Sequence, residues 1–225
     1  MPELERRGEV FVLHLGADEN RFHPDWIDSV NTALDAVEQS EGPRALVTCA
    51  GEKFYSNGLD LAWLSAHPAQ GGEYMASVHA LLARVLALPV ISVAAIPGHA
   101  FAAGAMLSLA HDFRVMRADR GWWCLPEVDI QMAFTPGMSA LIQARLAPQV
   151  AHAAMTTGRR YGGDDARAAG VVDVVAAEAD VLSAAVELAA ANAAKAGPTL
   201  GTIKARMYGP ALAALGSVAA QNTEA

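Results

Sequence analysis

The sequence predicts an α/β fold in which most strands run parallel. Short apolar runs rich in β-branched residues alternate with segments at helical spacing along the whole chain. The 225 residues are 53% apolar, which is enough to bury one substantial core. No internal repeat or low-complexity tract divides the chain. We therefore expect an α/β body over residues 1–175 and a helical C-terminal region over residues 176–225.

The first half of the chain predicts strands at residues 9–15, 44–49 and 90–96. A helix is expected at residues 24–39, where Pro24 suits the first turn and apolar residues recur on one stripe. A second amphipathic helix is expected at residues 73–86. Between them, residues 51–64 form a glycine-containing loop that leads into a helical turn.

The second half predicts a helix at residues 103–111 and short strands at 113–116 and 122–124. Two helices separated by Pro148 follow, and Gly170 ends a further short helix. The three helices are expected at residues 137–146, 148–156 and 164–169, and a strand is expected at residues 171–175. The remainder is Ala-rich and helical at residues 180–195 and 199–208, and the periodicity weakens over residues 211–225.

Charge and targeting signals exclude several function classes. Lysine and arginine number 16 against 24 acidic residues, so the net charge of −8 gives no electrostatic case for binding nucleic acid or anionic lipid. The amino terminus lacks the apolar core of a secretory signal, and the carboxyl terminus lacks a Ser-Lys-Leu signal. Cys49 and Cys124 are typical of buried free thiols. We expect a cytoplasmic protein.

The long, almost uncharged run at residues 90–110 has two interpretations. One is a membrane span, and the other is a buried strand, turn and helix. Pro97, Gly98 and His99 interrupt the run in its middle, which favours the second interpretation. We expect no membrane partner.

Two small-residue turns could each present a backbone donor. Gly58 could simply supply a positive φ in an ordinary connection, or it could let the N–H of Leu59 face a ligand. The turn at Ala102-Ala103-Gly104 could serve helix packing, or it could expose the N–H of Ala103 at a helix N-terminus. Two such donors would form an oxyanion hole. The Gly spacing fits neither a Rossmann fingerprint nor a P-loop.

Glu127 is a candidate acid/base. Glu127 and Asp129 could be a solvated pair sharing one face of a strand. Against this, residues 122–126 are apolar, and desolvation would raise the pKa of Glu127 toward neutrality, as a base requires.

Other catalytic chemistries have little support. The histidines and cysteines lack metal-ligand spacing, and no G-x-S-x-G elbow is present. Arg159 and Arg160 could contact a phosphate or be ordinary solvated arginines. We expect neither a metal nor a separate cofactor.

Four ordered blocks resemble the enoyl-CoA hydratase/isomerase (crotonase) superfamily. The blocks are FYSNGLDL, AAIPGHAFAAGAMLSLAHDFRV, LPEVDIQMAFTPGM and TGRRYGGDDARAAGVVDVV. The resemblance implies a spiral of ββα units with a helical C-terminal trimerisation region, assembled as a homotrimer or a dimer of trimers. It also implies an acyl-CoA substrate, with coenzyme A carried as part of that substrate.

The resemblance assigns roles to individual residues. Leu59 and Ala103 would donate the two oxyanion N–H groups, and Glu127 would be the catalytic carboxyl group. The residues expected to contact substrate or coenzyme A are Ser56, Asn57, Gly58, Asp60, Leu61 and Gly104. The residues expected in an acyl pocket, from their apolar character near the motifs, are Trp63, Met106, Phe134 and Met138.

Met106 distinguishes between the activities of this superfamily. Hydratases carry one glutamate at this position and another in the Pro-Glu motif, whereas this chain retains only Glu127. A single base that moves a proton from C2 to C4 suits a 3-enoyl-CoA isomerase. A hydratase or other enolate-using lyase, and a catalytically silent CoA-binding protein, remain alternatives.

Overall fold

The computed structural model describes residues 1–51 and 53–221 and confirms the α/β class. Its strands are β1 (Glu3–Arg7), β2 (Val10–His14), β3 (Ala45–Cys49), β4 (Phe54–Ser56), β5 (Ile91–Ile96), β6 (His99–Phe101), β7 (Phe113–Arg117), β8 (Trp123–Cys124) and β9 (Val174–Ala176). Its helices are α1 (Pro24–Gln39), α2 (Leu61–Ala66), α3 (Gly71–Ala87), α4 (Ala103–Ala110), α5 (Pro136–Arg145), α6 (Pro148–Thr157), α7 (Gly163–Ala168), α8 (Val181–Ala190), α9 (Pro198–Met207) and α10 (Gly209–Gln221).

The strands form a large and a small sheet. The large sheet has the order β1-β2-β3-β5-β7-β9, and its pairs are parallel except for β1 with β2. The small sheet has the order β4-β6-β8 and is parallel. In the strand pairs β3/β4, β5/β6 and β7/β8, the first strand joins the large sheet and the second joins the small one. This repetition, with helices following, is the expected spiral of ββα units.

Residue alternation along the large sheet builds two apolar layers. Val10 and Val12 of β2 face the helix α8, where they meet Val181 and Ala185. Phe11 and neighbouring side chains of the opposite face pack in the main core with α1 and α3. This buried alternation fixes the strand register, because a slip of one residue would exchange the two faces.

The C-terminal helices belong to the same packed body. Helix α8 covers one face of the large sheet, and α10 packs against α3 and α5. The boundary predicted after residue 175 falls inside β9 and is therefore corrected. Of the C-terminal stretch predicted at 211–225, residues 211–221 lie in α10 and residues 222–225 lie outside the described residues.

The uncharged run at residues 90–110 is β5, a turn, β6 and α4. Within the described ranges, no helix combines the length and apolarity needed to cross a bilayer. Strands β1, β4 and β6 were missed by the sequence analysis. β1 consists mostly of charged side chains, and β4 and β6 have three residues each, which is too short for a clear alternation.

Candidate active site

The carboxyl ends of the small sheet open into a cavity of about 380 Å³. Gly58 follows β4, Ala103 follows β6 and Glu127 follows β8, so three parallel strands deliver three candidate residues to one place. The lining is mainly apolar and comprises Arg21, Asn57, Leu59, Leu61, Leu64, Met75, Phe101, Ala102, Ala103, Met106, Pro126, Glu127, Ile130, Met132, Ala133, Phe134, Thr135 and Met138.

The first turn presents the backbone N–H of Leu59. Gly58 has φ +79°, and a methyl group added to it would lie 2.8 Å from the backbone nitrogen of Ala103. The glycine therefore permits both a left-handed turn and the close approach of the two loops. Within residues 1–51 and 53–221, the N–H of Leu59 donates to no protein acceptor.

The second turn presents the N–H of Ala103 at the start of α4. Ala102 adopts φ +51° and ψ −126° and caps the helix without a side-chain acceptor. This backbone conformation is costly for a residue with a side chain, and such strain is typical of functional turns. The first-turn N–H of Ala103 has no intrahelical partner, and the positive end of the helix dipole reinforces it. Leu59 and Ala103 thus place two backbone donors on one cavity wall.

Four predicted contact residues lie behind this wall. Ser56 Oγ accepts from the N–H of Gly58 at 3.1 Å, and Asp60 Oδ1 caps α2 by accepting from the N–H of Trp63 at 3.0 Å. A side chain on Gly104 would collide with the carbonyl oxygen of Ser56. Ser56, Gly58, Asp60 and Gly104 therefore shape the loops, whereas the predicted Asn57 and Leu61 do line the cavity.

The segment before α1 supports the first turn and was missed by the sequence analysis. Asn20 adopts φ +49°, and its side-chain amide donates to the carbonyl oxygens of Phe54 and Tyr55 at 3.2 and 3.1 Å. Its own carbonyl accepts from Ser56 Oγ at 2.7 Å. The neighbouring Arg21 lines the cavity. A buried asparagine tolerates this conformation better than most residues, but only the fold reveals that it is required.

Glu127 lies in a 3-10 turn formed by residues 126–128, not on a strand. Its side chain is buried, and burial raises its pKa from 4.5 to about 7. Oε2 is buried and has no hydrogen-bond partner among the described residues. An unpartnered, desolvated carboxyl oxygen beside an open cavity is suited to take a proton from a ligand.

Glu127 and Asp129 do not share one face of a strand, which was the alternative interpretation of their spacing. The 3-10 turn rotates the two side chains apart, because its residues do not alternate between two faces. The Asp129 carboxylate instead lies against Gly158, since a methyl group there would sit 2.6 Å from Asp129 Oδ2.

Three of the four predicted acyl-pocket residues line the cavity, namely Met106, Phe134 and Met138. The prediction for Trp63 is corrected: its ring stacks on His67 at 4.5 Å and packs against Tyr74 at 5.2 Å, outside this cavity. The sequence places Trp63 near the first turn, but α2 carries the ring to another side.

A buried hydrogen-bond chain links the cavity to the C-terminal helix. Thr135 lines the cavity and caps α5, and its hydroxyl lies 2.8 Å from His79 Nε2. His79 Nδ1 lies 3.3 Å from the carbonyl oxygen of Leu215. Because that carbonyl can only accept, Nδ1 carries the proton, and Nε2 accepts from the threonine. Burial lowers the pKa of His79, which keeps this neutral form.

The arrangement has the parts of an enolisation site. Two N–H groups can bind a carbonyl oxygen and stabilise the negative charge that develops on it. Glu127 can remove a proton from the carbon next to that carbonyl and return it elsewhere.

The chain is similar to known proteins along nearly its whole length. A family model described as enoyl-CoA hydratase/isomerase matches residues 6–224. Enoyl-CoA delta isomerase 3 of Arabidopsis thaliana is 39% identical, covering 99% of this chain and 98% of the relative. The peroxisomal enoyl-CoA delta isomerase 2 of the same plant is 37% identical over 92% of each chain. A structure described as an enoyl-CoA isomerase of Mycobacterium tuberculosis has a TM-score of 0.88 at 27% identity, covering 97% of each chain. Another structure from this organism, described as a probable enoyl-CoA hydratase, has a TM-score of 0.90 at 26% identity, covering 99% of this chain and 95% of that chain.

Proposed function

This chain belongs to the enoyl-CoA hydratase/isomerase family, and we propose that it converts 3-enoyl-CoA thioesters to 2-trans-enoyl-CoA thioesters. Similarity to the plant enoyl-CoA delta isomerases extends over nearly the whole of both chains. The proposal therefore rests on similarity along the whole chain and not on one shared motif.

One observation carries the choice of isomerisation. Among the described residues that line the cavity, Glu127 is the sole carboxylic acid, and the thioether of Met106 occupies the wall next to the oxyanion turn. Hydration requires a water molecule held and activated between two carboxyl groups. Transfer of one proton between two carbons of the same substrate requires only one base.

The reaction begins with the thioester oxygen between the N–H groups of Leu59 and Ala103. The Glu127 carboxylate removes a proton from C2, and the electrons move toward the carbonyl oxygen to form an enolate. The two N–H groups bind this oxygen more strongly as its charge grows, which lowers the barrier by several kcal/mol. The now neutral Glu127 returns the proton to C4, and the double bond comes to rest between C2 and C3.

The surroundings of Glu127 suit both steps. A pKa of about 7 leaves a substantial fraction of carboxylate at neutral pH and also makes the protonated form a competent acid. Its unpartnered Oε2 is free to meet the substrate.

The apolar wall is suited to the acyl chain. Met75, Met106, Phe134 and Met138 are flexible or aromatic side chains that can adapt to an unsaturated hydrocarbon. Coenzyme A enters as part of the substrate, so the reaction uses no separate cofactor. We propose a role in the β-oxidation of unsaturated fatty acids on the basis of this chemistry.

The assembly and compartment are also proposals. Family resemblance supports a homotrimer or a dimer of trimers, and light scattering of the purified protein would measure the mass. We retain the cytoplasm as the proposed compartment, although two of the similar plant proteins are described as peroxisomal.

The function is tested by assaying purified protein with 3-enoyl-CoA and, separately, with crotonyl-CoA. We expect rapid formation of 2-enoyl-CoA from the first substrate and hydration slower by about 10²-fold or more, because the second carboxylate is missing. Hydration that equals or exceeds isomerisation would favour the hydratase alternative. Tight acyl-CoA binding without turnover of either substrate would favour the silent alternative.

A further inference from the structure

The two oxyanion donors receive different structural support. Ala103 begins α4, and the carbonyl oxygen of the preceding residue, Ala102, accepts from the N–H of Met106 at 3.0 Å. The helix therefore fixes and polarises the peptide group that carries the Ala103 N–H. Leu59 lies two residues before α2 begins, so its N–H belongs to a loop and is not fixed by helical hydrogen bonds. A preorganised donor at this position needs support from another part of the chain.

The backbone of Phe22 supplies part of that support. The peptide group between residues 58 and 59 carries the Leu59 N–H on one side and the carbonyl oxygen of Gly58 on the other. That oxygen accepts from the N–H of Phe22 at 2.8 Å. This hydrogen bond fixes the plane of the peptide group and polarises its N–H, because consecutive hydrogen bonds strengthen one another. With a thioester oxygen bound to Leu59, the Phe22 N–H and this peptide group would form one continuous chain of hydrogen bonds.

Phe22 is itself held by the main core. Its ring is fully buried and stacks on the ring of Trp26, with 4.9 Å between centroids and 10° between planes. Nε1 of Trp26 donates to the carbonyl oxygen of Leu15 at 2.9 Å, just after β2. The position of the Phe22 N–H is therefore set by packing outside the oxyanion loop.

Asn20 binds the same loop through its side chain and its backbone. Its side-chain amide donates to two carbonyl oxygens of β4 at 3.2 and 3.1 Å, and its own carbonyl oxygen accepts from the buried Ser56 hydroxyl at 2.7 Å. Ser56 Oγ in turn accepts from the N–H of Gly58 at 3.1 Å. Both peptide groups that flank Gly58 are therefore tied to residues 20–22, one through Ser56 and the other directly through Phe22.

The backbone conformation of Asn20 makes these contacts possible at the same time. Its φ of +49° lies in the left-handed region, which asparagine adopts more readily than most residues with a side chain. Asn20 is 7% exposed and lies behind the cavity wall. Glycine at this position would keep the backbone conformation and lose only the amide, so the contribution of the amide can be measured separately.

We propose that Asn20 is a positioning residue for the isomerisation, because it fixes the oxyanion donor Leu59 through Ser56 and Phe22. This role rests on the proposed function, since it requires a thioester oxygen bound to Leu59. The negative charge on that oxygen is greatest in the transition state, so a misplaced donor costs more there than in the substrate complex. Loss of the Asn20 amide should therefore lower kcat more than it raises KM.

Kinetics of Asn20→Gly with 3-enoyl-CoA test this role. We expect kcat to fall about 10-fold and KM to change by less than about 3-fold. Asn192→Ala is the matched control, because it removes an amide that donates to the carbonyl oxygen of Leu188 at 2.9 Å, at the end of α8. The control should keep the native kcat and KM. Equal values of kcat in the two variants, or a rise in KM that accounts for the whole loss of kcat/KM, would overturn the proposal.

The infrared carbonyl stretch of bound crotonyl-CoA measures the oxyanion donors without turnover. Hydrogen bonds to the thioester oxygen weaken its C=O bond and lower the stretching frequency, so the native complex should absorb below free crotonyl-CoA. The complex of Asn20→Gly at saturating ligand should show a smaller shift. Absence of a shift in the native complex would contradict the oxyanion hole and with it the proposed function. Equal shifts in the native and Asn20→Gly complexes would contradict the role of Asn20 alone.

Ser56→Ala provides a second, milder variant. It removes the hydroxyl that joins the Asn20 carbonyl oxygen to the N–H of Gly58 and leaves the left-handed turn unchanged. We expect kcat and the carbonyl shift to decrease together, by less than in Asn20→Gly. Thermal unfolding followed by circular dichroism measures the folded fraction of each variant at the assay temperature. If Asn20→Gly does not fold, a native kcat and a native carbonyl shift in Ser56→Ala would still overturn the proposal.

Discussion

A methyl group added at Gly58 would lie 2.8 Å from the backbone nitrogen of Ala103. The absence of a side chain at residue 58 allows the two oxyanion turns to approach this closely, and any side chain there would force them apart. Stabilisation of the enolate therefore depends on a residue that contributes no functional group.

Replacement of Gly58 by alanine should lower kcat/KM for isomerisation by about 10²-fold, comparable to the loss of one oxyanion donor. Gly42→Ala is the matched control, since Gly42 has a similar φ of +76° but nothing within 4 Å of the added methyl group. The control should lose about 1 kcal/mol of stability and keep its activity. Equal losses of activity in the two variants would show that backbone strain, and not the collision with Ala103, is responsible.

The pH dependence of the reaction should follow the ionisation of Glu127. Because the carboxylate is the active form of the free enzyme and its pKa is about 7, kcat/KM should rise through pH 7 and reach a plateau above it. A rate profile measured from pH 5 to 9 tests this. An acid limb near pH 4.5 would mean that the carboxyl group is not desolvated in solution.

The stability that Glu127 contributes should fall as the pH rises, whereas kcat/KM rises. The pKa of Glu127 is raised in the folded state, so the folded protein binds the proton more tightly than the unfolded chain. The stabilisation of the folded state by this tighter proton binding is fully present below pH 4.5 and is lost as the pH rises through about 7. Relative to Glu127→Gln, the native protein should therefore lose up to about 3 kcal/mol of unfolding free energy between pH 4.5 and 9. Urea denaturation of both proteins measures the difference.

Replacement of Met106 by glutamate should introduce hydratase activity. A second carboxyl group in the cavity could hold water opposite Glu127, and it should also raise the pKa of Glu127 and move the acid limb of isomerisation upward. Met106→Gln has nearly the same shape without the charge and controls for packing. Crotonyl-CoA hydration should increase in the glutamate variant alone, and an equal increase in both variants would exclude a role for the carboxyl group.

The hydrogen bond between Thr135 and His79 should position the acyl-pocket wall. Thr135→Val removes the hydroxyl that caps α5 and contacts His79, and it should cost about 1–2 kcal/mol of stability. We expect KM for long acyl chains to rise more than kcat falls, whereas Thr135→Ser retains both properties. A fall in kcat alone would assign the threonine a role in the chemical step.

The sequence analysis identified most of the larger elements and the main catalytic candidates. Helix α1 matches its predicted bounds because Pro24 and the apolar stripe define it locally. Glu127, Leu59 and Ala103 share a cavity as expected. The helix and the shared cavity could be predicted because each depends on a local pattern or on an ordered set of motifs, and the catalytic roles of the three residues stay predictions.

The remaining features depend on contacts between distant parts of the chain. The role of Asn20 arises from carbonyl groups 34 and 35 residues away. The link from Thr135 through His79 to Leu215 joins three residues that are 56 and 136 positions apart in the sequence. Local periodicity in the sequence cannot predict contacts between such distant residues. The prediction that Trp63 lines the acyl pocket was wrong for the same reason.

The most direct test of the account is the isomerase rate of Glu127→Gln with saturating 3-enoyl-CoA. The amide has nearly the same shape but cannot remove a proton, so we expect kcat to fall by about 10²–10⁴-fold while acyl-CoA binding is retained. Glu187→Gln, an exposed position on α8, should keep the native rate. Retention of most of the isomerase activity by Glu127→Gln would contradict the assignment of Glu127 as the acid and base.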